Sequence, residues 1–349
     1  MHAPRTLALS RHDVAVLLTL DDGIDAVESA FRAHGEGLTS TGILGMPAAG
    51  GGFHIKAATI GGDAPVFAAK VNGNFQDNAA RFGLPRIQGL IVLCDARHGF
   101  PLAVMDSTLI TQLRTGAATA VAAKYLARTG ASIATIVGCG LQGRVQLRSI
   151  VAVRPLTRVF VHDADRGGAE RFAREMTAGL RCEVLVIDAP ADGTRQSDLI
   201  VTCTPSRVAI LHEGDVVPGA FISAVGADSE DKQEIAPALM ARCGVVPDIL
   251  EQAATIGDLH HALVAGAMCR ADARAELGAI VAGRAPGRTR DDEIMLFDST
   301  GTALHDVAAA ALVLERAERR GAGTPLDLLG TAPRPRASAG NEPLFRVTL

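Results

Sequence analysis

The chain has 349 residues, of which 48% are apolar and 3% aromatic, and it contains no tryptophan. A core of small aliphatic residues is typical of parallel strands covered by helices, and this length favours two domains. The formal net charge is −4 without a basic block, which argues against nucleic-acid binding and favours small-molecule chemistry.

The cysteines and the apolar segments bear on the compartment. The six cysteines show no Cys-x-x-Cys spacing, so we expect buried free thiols, no disulfide and no metal site. The sequence has no apolar span of about eighteen residues and no secretory leader. We therefore expect a cytoplasmic protein that does not contact a membrane.

The first third of the chain predicts a mixed α/β region. Apolar residues at helical spacing predict a helix over 22–31. Short strand-like runs separated by glycine, proline, asparagine and aspartate predict an antiparallel or mixed sheet from strands at 53–58, 66–71 and 90–95. An alanine-rich helix follows at 111–126. Because this region precedes the motif described next, we expect it to hold a substrate.

A predicted strand at 133–137 runs directly into Gly138-Cys139-Gly140-Leu141-Gln142-Gly143. In a Gly-x-Gly-x-x-Gly turn the first glycine allows the tight turn, the second admits the pyrophosphate, and the third lets the helix pack on the strand. The helix N–H groups then point at phosphate, so Gly138, Gly140, Leu141, Gln142 and Gly143 are predicted to bind a dinucleotide.

A second predicted strand at 158–162 leads into Asp163, about twenty residues after the glycine turn. A carboxylate there is expected to bind the ribose hydroxyls and to repel a 2′-phosphate. We therefore predict NAD as the cofactor, with NADH favoured over NADPH, although Arg166 lies nearby and could moderate this preference.

Strands and helices continue to alternate, which predicts a doubly wound parallel sheet. Its further strands are predicted at 183–187, 198–203 and 220–225, with a helix near 167–178. Helical segments are predicted at 248–266 and 270–282, and a last helix near 303–320 is expected to pack back on the first region. Residues 331–349 predict a flexible tail.

Functional residues of an open α/β sheet gather where parallel strands end. Three such places follow predicted strands: Thr204-Pro205, the segment ending in Asp228, and Ser299. Asp228 is a candidate general acid or base beside a nicotinamide. The alternative for Asp228 is a helix N-cap or a salt bridge with Lys232.

Four segments of the chain resemble the ornithine cyclodeaminase/μ-crystallin family. They occur in the family's order between about residue 40 and about residue 325, and they read KVNGNFQDNAARFGLPRIQGLIVLCDARHGFPLAVMDSTLITQLRTGAATAVAAKYLA, TIVGCGLQGRVQ, VGADSEDKQEI and FDSTGTALHDVAAAA. The resemblance implies a homodimer of an α/β fold. A Rossmann domain would span 128–302, and an α+β substrate and dimerisation domain would span 1–127, with 303–330 packing on it.

The resemblance also implies roles for particular side chains. Lys70 and Arg114 match family positions that bind the substrate carboxylate, which a guanidinium and an ammonium suit chemically. Asp228 matches the catalytic aspartate. Thr115, Thr204-Pro205 and Ser299 are expected to contact the cofactor.

Departures from the family bear on the substrate. Ornithine and lysine cyclodeaminases have a glutamate for the distal amine two residues before Met-Pro, where this chain has Leu44. Lys56 and His54, two apart on one strand, would share a face and could line the substrate pocket; the alternative is a solvent-facing strand edge. The adjacent pair at 260–261 lacks metal-ligand spacing and is interpreted as structural or as a pocket rim.

These features predict an NAD(H)-dependent amino-acid dehydrogenase or imino-acid reductase acting at Cα of a small substrate. In this reaction Lys70, Arg114 and Asp228 would be the catalytic residues. Ornithine cyclodeaminase, which would convert ornithine to proline and ammonia with catalytic NAD, is the first alternative. A μ-crystallin-like binding protein is the second.

Overall fold

The computed structural model describes residues 5–180 and 182–330. The first of its two large sheets draws strands from both ends of the chain. These strands are β1 (Thr6–Leu9), β2 (Thr39–Ala48), β3 (Gly51–Ile60), β4 (Val66–Phe75), β5 (Ile87–Asp95), β6 (Pro101–Asp106) and β16 (Thr324–Leu326). Their order is β16-β1-β6-β5-β4-β3-β2, and only the β1/β6 pair is parallel. The tail predicted over 331–349 lies outside the described residues.

The second large sheet is parallel throughout. Its strands are β7 (Ile133–Val137), β8 (Arg158–His162), β9 (Glu183–Val186), β10 (Leu199–Thr202), β12 (Phe221–Ala224), β14 (Gly244–Pro247) and β15 (Met295–Asp298). Their order is β14-β15-β12-β10-β7-β8-β9. Successive strands are added on one side of β7 up to β9 and on its other side from β10 onward, as in a doubly wound Rossmann sheet. A small parallel sheet pairs β11 (Arg207–Leu211) with β13 (Gln233–Ile235).

Helices cover both large sheets. They are α1 (Arg11–Leu17), α2 (Leu20–Gly35), α3 (Asn78–Phe82), α4 (Thr108–Leu126), α5 (Leu141–Val153), α6 (Arg166–Gly179), α7 (Pro190–Thr194), α8 (Pro237–Met240), α9 (Leu250–Ile256), α10 (Asp258–Val264), α11 (Leu277–Val281) and α12 (Ala303–Arg320). Within the described ranges, no helix has the length and apolar character needed to cross a membrane.

Helix α4 connects the two large sheets, and an unbroken buried run covers its residues 114–123. It contacts β5 of the first sheet and β12 and β15 of the second. A Cβ at Gly116 would come 2.3 Å from the Ser149 Oγ of α5. The glycine and the alanines around it therefore allow a close helix contact that larger side chains would prevent.

The last helix, α12, packs on β3 and β4 of the first sheet. It begins after Thr302, whose hydroxyl caps the helix by accepting from the Leu304 N–H, and it ends at Gly321 in the left-handed conformation (φ +62°). This packing brings a segment from near residue 306 onto strands that lie more than two hundred residues earlier in the chain.

The predicted helical segment over 248–266 is divided in two at Gly257. A Cβ at Gly257 would come 2.6 Å from a carboxylate oxygen of Asp298. The same carboxylate accepts from the N–H groups of Asp258 (3.3 Å) and Leu259 (2.8 Å). The helix therefore restarts where a buried acid at the end of β15 caps its first N–H groups.

The six cysteines are free thiols, and Cys139 and Cys243 are buried. Burial raises the pKa of both these thiols to about 12, so they stay protonated at neutral pH. Cys269 is exposed, which corrects the expectation that all six would be buried.

Candidate active site

The glycine turn after β7 has the geometry of a pyrophosphate seat. Gly138 adopts φ +105°, and a Cβ there would come 2.8 Å from the Cys203 carbonyl oxygen. At Gly143 a Cβ would come 2.1 Å from the Gly138 carbonyl oxygen, so α5 packs directly on the strand end. Gly140, the N-cap of α5, has nothing within 4 Å of its Cβ position. This open space at the helix N-terminus fits a phosphate group.

Leu141 and Gln142 begin α5 beside this open space, and Leu141 is exposed. Asp163 lies against the turn, because its Oδ2 accepts from the Cys139 N–H at 2.7 Å. Its Oδ1 accepts from the N–H of Asp165 at 2.9 Å. The structure therefore brings the predicted ribose-binding carboxylate to the glycine turn.

Arg166 is engaged elsewhere. Its guanidinium pairs with Asp188 and, at 3.5 Å, with Glu170. A 2′-phosphate would therefore have to compete with two carboxylates for the Arg166 guanidinium.

A buried group of three cations lies where the first sheet meets α4. Lys56 on β3 and Lys70 on β4 are directly paired across the two strands, so their side chains share one face of the sheet. Lys70 Nζ lies 2.7 Å from Asp306 Oδ2, and Arg114 Nε donates to Asp306 Oδ1 at 3.1 Å. All four of these side chains are buried. We call these four residues the cation cluster.

Lys56 also bridges the two sheets. Its Nζ donates to the carbonyl oxygens of Thr300 (3.0 Å) and Gly301 (2.7 Å), which follow β15. Asp248 braces the same turn by accepting from the Thr300 hydroxyl and the Gly301 N–H, each at 2.8 Å. An ammonium has three N–H groups, so one of Lys56 remains for a ligand.

The cation cluster is short of negative charge. Burial and the neighbouring Arg114 lower the pKa of Lys70 to about 7, against the opposing effect of Asp306. Burial and Arg114 also lower the pKa of Lys56, although Asp228 and Asp306 oppose this. A bound carboxylate would supply the missing charge and stabilise both ammonium groups.

Asp228 follows β12 and forms an ion pair with Lys232 (2.5 Å), as the alternative interpretation of the sequence anticipated. Its side chain is 53% exposed. Desolvation raises its pKa, but the charges of Lys232 and Lys56 outweigh this and lower the pKa overall, with a further contribution from His54. Asp228 is therefore an ionised carboxylate that is paired with Lys232 and interacts electrostatically with Lys56 of the cation cluster and with His54.

The other predicted cofactor contacts occupy three different positions. Thr204 and Pro205 follow β10, and the Thr204 hydroxyl donates to Glu234. Ser299 follows β15 and is buried. Thr115 lies within α4, one residue after Arg114, and its hydroxyl donates to the Thr111 carbonyl oxygen. Thr204 and Ser299 are thus at strand ends of the parallel sheet, whereas Thr115 lies on α4 beside Arg114.

Strand register decides what faces the cation cluster from β2. Ile43 pairs with Lys56 and Gly45 with His54, so these four residues share a face. Leu44 pairs with Ile55 and therefore points to the opposite face of the sheet. Leu44 therefore does not face the cation cluster, whereas His54 and Lys56 lie on the face of Lys70.

The histidine pair at 260–261 makes backbone contacts. His260 Nδ1 lies 3.3 Å from the Ala254 carbonyl oxygen, and His261 Nε2 lies 2.8 Å from that of Lys232. These contacts fit the structural interpretation. The part of the chain that the structure describes contains no group of three or more side chains arranged to hold a metal ion.

Two buried acids at the site were not predicted from the sequence. Asp306 compensates the charges of Lys70 and Arg114 within the cation cluster, and Glu234 accepts hydrogen bonds from the strand-end loops. A signal for Asp306 exists in the sequence, since it interrupts the apolar helical face formed by the buried residues Ala303, Ala310 and Val313. A charged residue on such a face needs a buried partner.

The glycine turn and the sheet order define a Rossmann-type dinucleotide-binding α/β fold. A model of the ornithine cyclodeaminase/mu-crystallin family matches residues 5–321. The chain therefore belongs to the ornithine cyclodeaminase/mu-crystallin family.

Similar proteins include dehydrogenases and reductases. Alanine dehydrogenase of Archaeoglobus fulgidus is 36% identical over 329 residues, which cover 91% of this chain and 97% of that protein. Iminosuccinate reductase of Paracoccus denitrificans is 31% identical over 332 residues, covering 92% and 100%.

Solved structures agree in fold over nearly the whole chain. An archaeal alanine dehydrogenase dimer with bound NAD superposes with a TM-score of 0.88 at 34% identity, covering 93% of this chain and 99% of that one. The Thermococcus litoralis Δ1-pyrroline-2-carboxylate reductase with NADH and L-proline gives 0.86 at 33% identity, covering 92% and 100%. A lysine cyclodeaminase gives 0.78 at 30% identity, covering 92% and 95%.

Proposed function

We propose that this chain is an NAD(H)-dependent amino-acid dehydrogenase or imino-acid reductase that acts at Cα of a small substrate. The observation that carries the proposal is that the cation cluster of the first sheet lies near Asp228, which follows a strand of the parallel sheet that bears the dinucleotide turn. Relatives with either activity support it, as do related structures containing NAD or NADH.

The substrate carboxylate binds to the cation cluster. Among the described residues, Arg114 donates to a side chain through Nε alone. Asp306 thus orients the guanidinium and leaves Nη1 and Nη2 for a bidentate carboxylate contact. Lys70 and the third N–H of Lys56 complete the grip, and His54 lies on the same face.

Asp228 transfers the proton. An ionised carboxylate at the strand end accepts a proton from the substrate nitrogen or from water and returns it in the reverse direction. Lys56, Lys232 and His54 stabilise its negative charge between these steps. The dinucleotide, when bound, donates or accepts hydride at the substrate Cα.

The cofactor is NAD(H), with NADH preferred to NADPH. The position of Asp163 against the glycine turn supports this preference, as does the pairing of Arg166 with two carboxylates. The same turn positions Gly138, Gly140 and Gly143 for the pyrophosphate. Thr204, Pro205 and Ser299 at the strand ends, and Thr115 from α4, approach the nicotinamide half.

The two sheets correspond to two domains. The Rossmann sheet lies within 128–302, and the sheet formed by 1–127 together with 303–330 carries the cation cluster. We assign this second sheet to substrate binding and dimerisation. Its outer face, opposite the cations, carries an apolar row across four strands: Leu44, Ile55, Val71 and Leu90.

A homodimer would cover this outer face. Leu44, Leu90 and the neighbouring Phe53 are 54%, 42% and 42% exposed. A continuous apolar surface of this kind marks an interaction site. The related alanine dehydrogenase structure is a dimer, which supports the same arrangement here.

A panel of 2-imino acids tests the function. Pyruvate with ammonia, iminosuccinate and cyclic imines are offered with NADH, and absorbance at 340 nm is followed. We expect stoichiometric NADH oxidation with at least one of them. Asp228→Asn should lower kcat by about a hundred- to ten-thousand-fold, whereas Asp231→Asn, in the same loop and paired with Arg207, should not.

Two other outcomes would replace this proposal. Release of proline and ammonia from ornithine with only catalytic NAD would establish a cyclodeaminase. Cofactor binding without turnover of any substrate would favour a binding protein. The cation cluster disfavours the cyclodeaminase, because Lys56 and Lys70 repel a distal ammonium on their face of the sheet.

A further inference from the structure

Glu234 on β13 is fully buried and its carboxylate accepts four hydrogen bonds. Its Oε1 accepts from the N–H (2.6 Å) and hydroxyl (2.7 Å) of Thr204. Its Oε2 accepts from the Thr202 hydroxyl (2.7 Å) and the Gly226 N–H (2.8 Å). One carboxylate thus joins the loop after β10 to the loop that carries Asp228.

The contact with the second loop is close. A Cβ at Gly226 would come 2.5 Å from Glu234 Cδ and 2.3 Å from the Thr204 carbonyl oxygen. Only a glycine lets the backbone approach the carboxylate in this way. Gly226 lies two residues before Asp228, so a shift of this peptide moves the proposed proton carrier.

The backbone of Glu234 is itself anchored. Asp258 Oδ1 accepts from the N–H groups of Glu234 (2.8 Å) and Ile235 (2.9 Å). Asp298, at the end of β15, in turn accepts from the Asp258 N–H. The carboxylate therefore extends from a segment tied to a third strand end, which makes it a rigid reference for both loops.

We propose that Glu234 is a positioning residue that holds the cofactor loop at Thr204 and the catalytic loop at Asp228 in fixed positions relative to one another. The roles of Thr204 and Asp228 rest on the proposed function. Each carboxylate oxygen receives one backbone N–H, one from each loop. Both loops are therefore held only while both oxygens are acceptors.

Glu234→Gln tests this geometry. Whichever way the amide turns, its NH2 group faces either the Thr204 N–H or the Gly226 N–H, so one loop anchor is lost. Glu234→Asp is the second variant, because it keeps the charge but shortens the reach by one methylene. Thr202→Val is the matched control, since it removes a hydroxyl donor from the strand and leaves both backbone anchors.

We expect Glu234→Gln to lower kcat by about ten- to a hundredfold, as a displacement of about 1 Å does. NADH should bind about fivefold more weakly, measured by fluorescence titration. Glu234→Asp should show similar losses of kcat and NADH affinity. Thr202→Val should lose some thermal stability while kcat and NADH affinity stay near the wild-type values.

Wild-type kcat and NADH affinity in the folded Glu234→Gln and Glu234→Asp proteins would overturn the proposal. Equal losses in Thr202→Val would also overturn it, because they would reflect packing alone. If the wild-type enzyme turned over no 2-imino acid, the proposed function would fail. The NADH titration would then still decide whether Glu234 positions the Thr204 loop.

Discussion

Lys70 and Asp306 form an ion pair with 2.7 Å between Nζ and Oδ2, and their side chains are only 4% and 2% exposed. One residue comes from β4 and the other from α12. Asp306 also accepts from Arg114, so a single carboxylate compensates two of the three cations that face the proposed substrate. The site is therefore assembled from elements that are distant along the chain, and the charge balance of Lys70 and Arg114 depends on one buried acid.

Asp306→Asn should destabilise the protein by about 3–5 kcal/mol near neutral pH, because it leaves buried cations without a counter-charge. The KM for the substrate should rise as well, since Arg114 loses its orientation. Urea unfolding and steady-state kinetics measure the two effects. Glu318→Gln, an exposed position on the same helix, should change stability by less than about 0.5 kcal/mol. A fully stable Asp306→Asn protein would contradict this account.

Substrate affinity should fall as the pH rises above about 7, because Lys70 then loses its proton. The groups that act on it are Arg114 and Lys56, which lower its pKa, and Asp306, which raises it. Carboxylate binding should be accompanied by proton uptake in this range. Calorimetry in buffers of different ionisation enthalpy measures that uptake.

Lys70→Arg provides the comparison for this pH dependence. A guanidinium stays protonated, so the fall in affinity above pH of about 7 should disappear. In the wild-type protein without substrate, stability should change with pH in the opposite direction to substrate affinity. Because the unfolded state keeps the Lys70 proton up to about 10.5, the free energy of unfolding should rise with pH between about 7 and 10.5. An unchanged pH profile in Lys70→Arg would exclude Lys70 as its source.

Asp163→Ala should shift the ratio of NADH to NADPH affinity towards NADPH by about tenfold or more, because the carboxylate no longer repels a 2′-phosphate. Fluorescence titration with each cofactor measures the ratio. Asp165→Ala, in the same turn but paired with Arg171, serves as the control and should leave the ratio unchanged. Tighter binding of NADPH than of NADH by the wild-type protein would refute the assignment.

Leu44→Lys should weaken the proposed homodimer, because it places a charge in the apolar row on the outer face of the first sheet. Sedimentation velocity over a range of concentrations measures the association. Val264→Lys replaces a more exposed apolar residue on α10, at 74% exposure, and should leave the assembly intact. A dimer that tolerates Leu44→Lys and related changes at Phe53 would place the interface elsewhere.

Local patterns identified much of the fold. The strands at 133–137 and 158–162 and the helix at 303–320 have the predicted bounds, because their apolar periodicity and end signals are contained within each segment. The edge strand β2 was not predicted. This strand contains two glycines and a proline, and its side chains are exposed almost throughout. It is identified as a strand by its pairing with β3.

The candidate site was likewise predicted in part from the sequence. The glycine turn and the lysine, arginine and aspartate motifs could be read from the sequence because each is a short run with its own chemistry. The direction of Leu44 could not, because a one-residue difference in register reverses every side chain of a strand. Register depends on pairing with a neighbouring strand, and no local pattern in β2 specifies it.

The sequence by itself determined the cofactor turn, the alternation of strands and helices, and the family to which the chain belongs. Tertiary structure alone decided that Asp306 neutralises Lys70 and Arg114, and that Glu234 joins two strand-end loops. Asp306 meets Arg114, which lies 192 residues earlier, and Glu234 joins Gly226 to Thr204, which lie 8 and 30 residues before it. Their buried charge is tolerated only where packing of the complete fold supplies those partners.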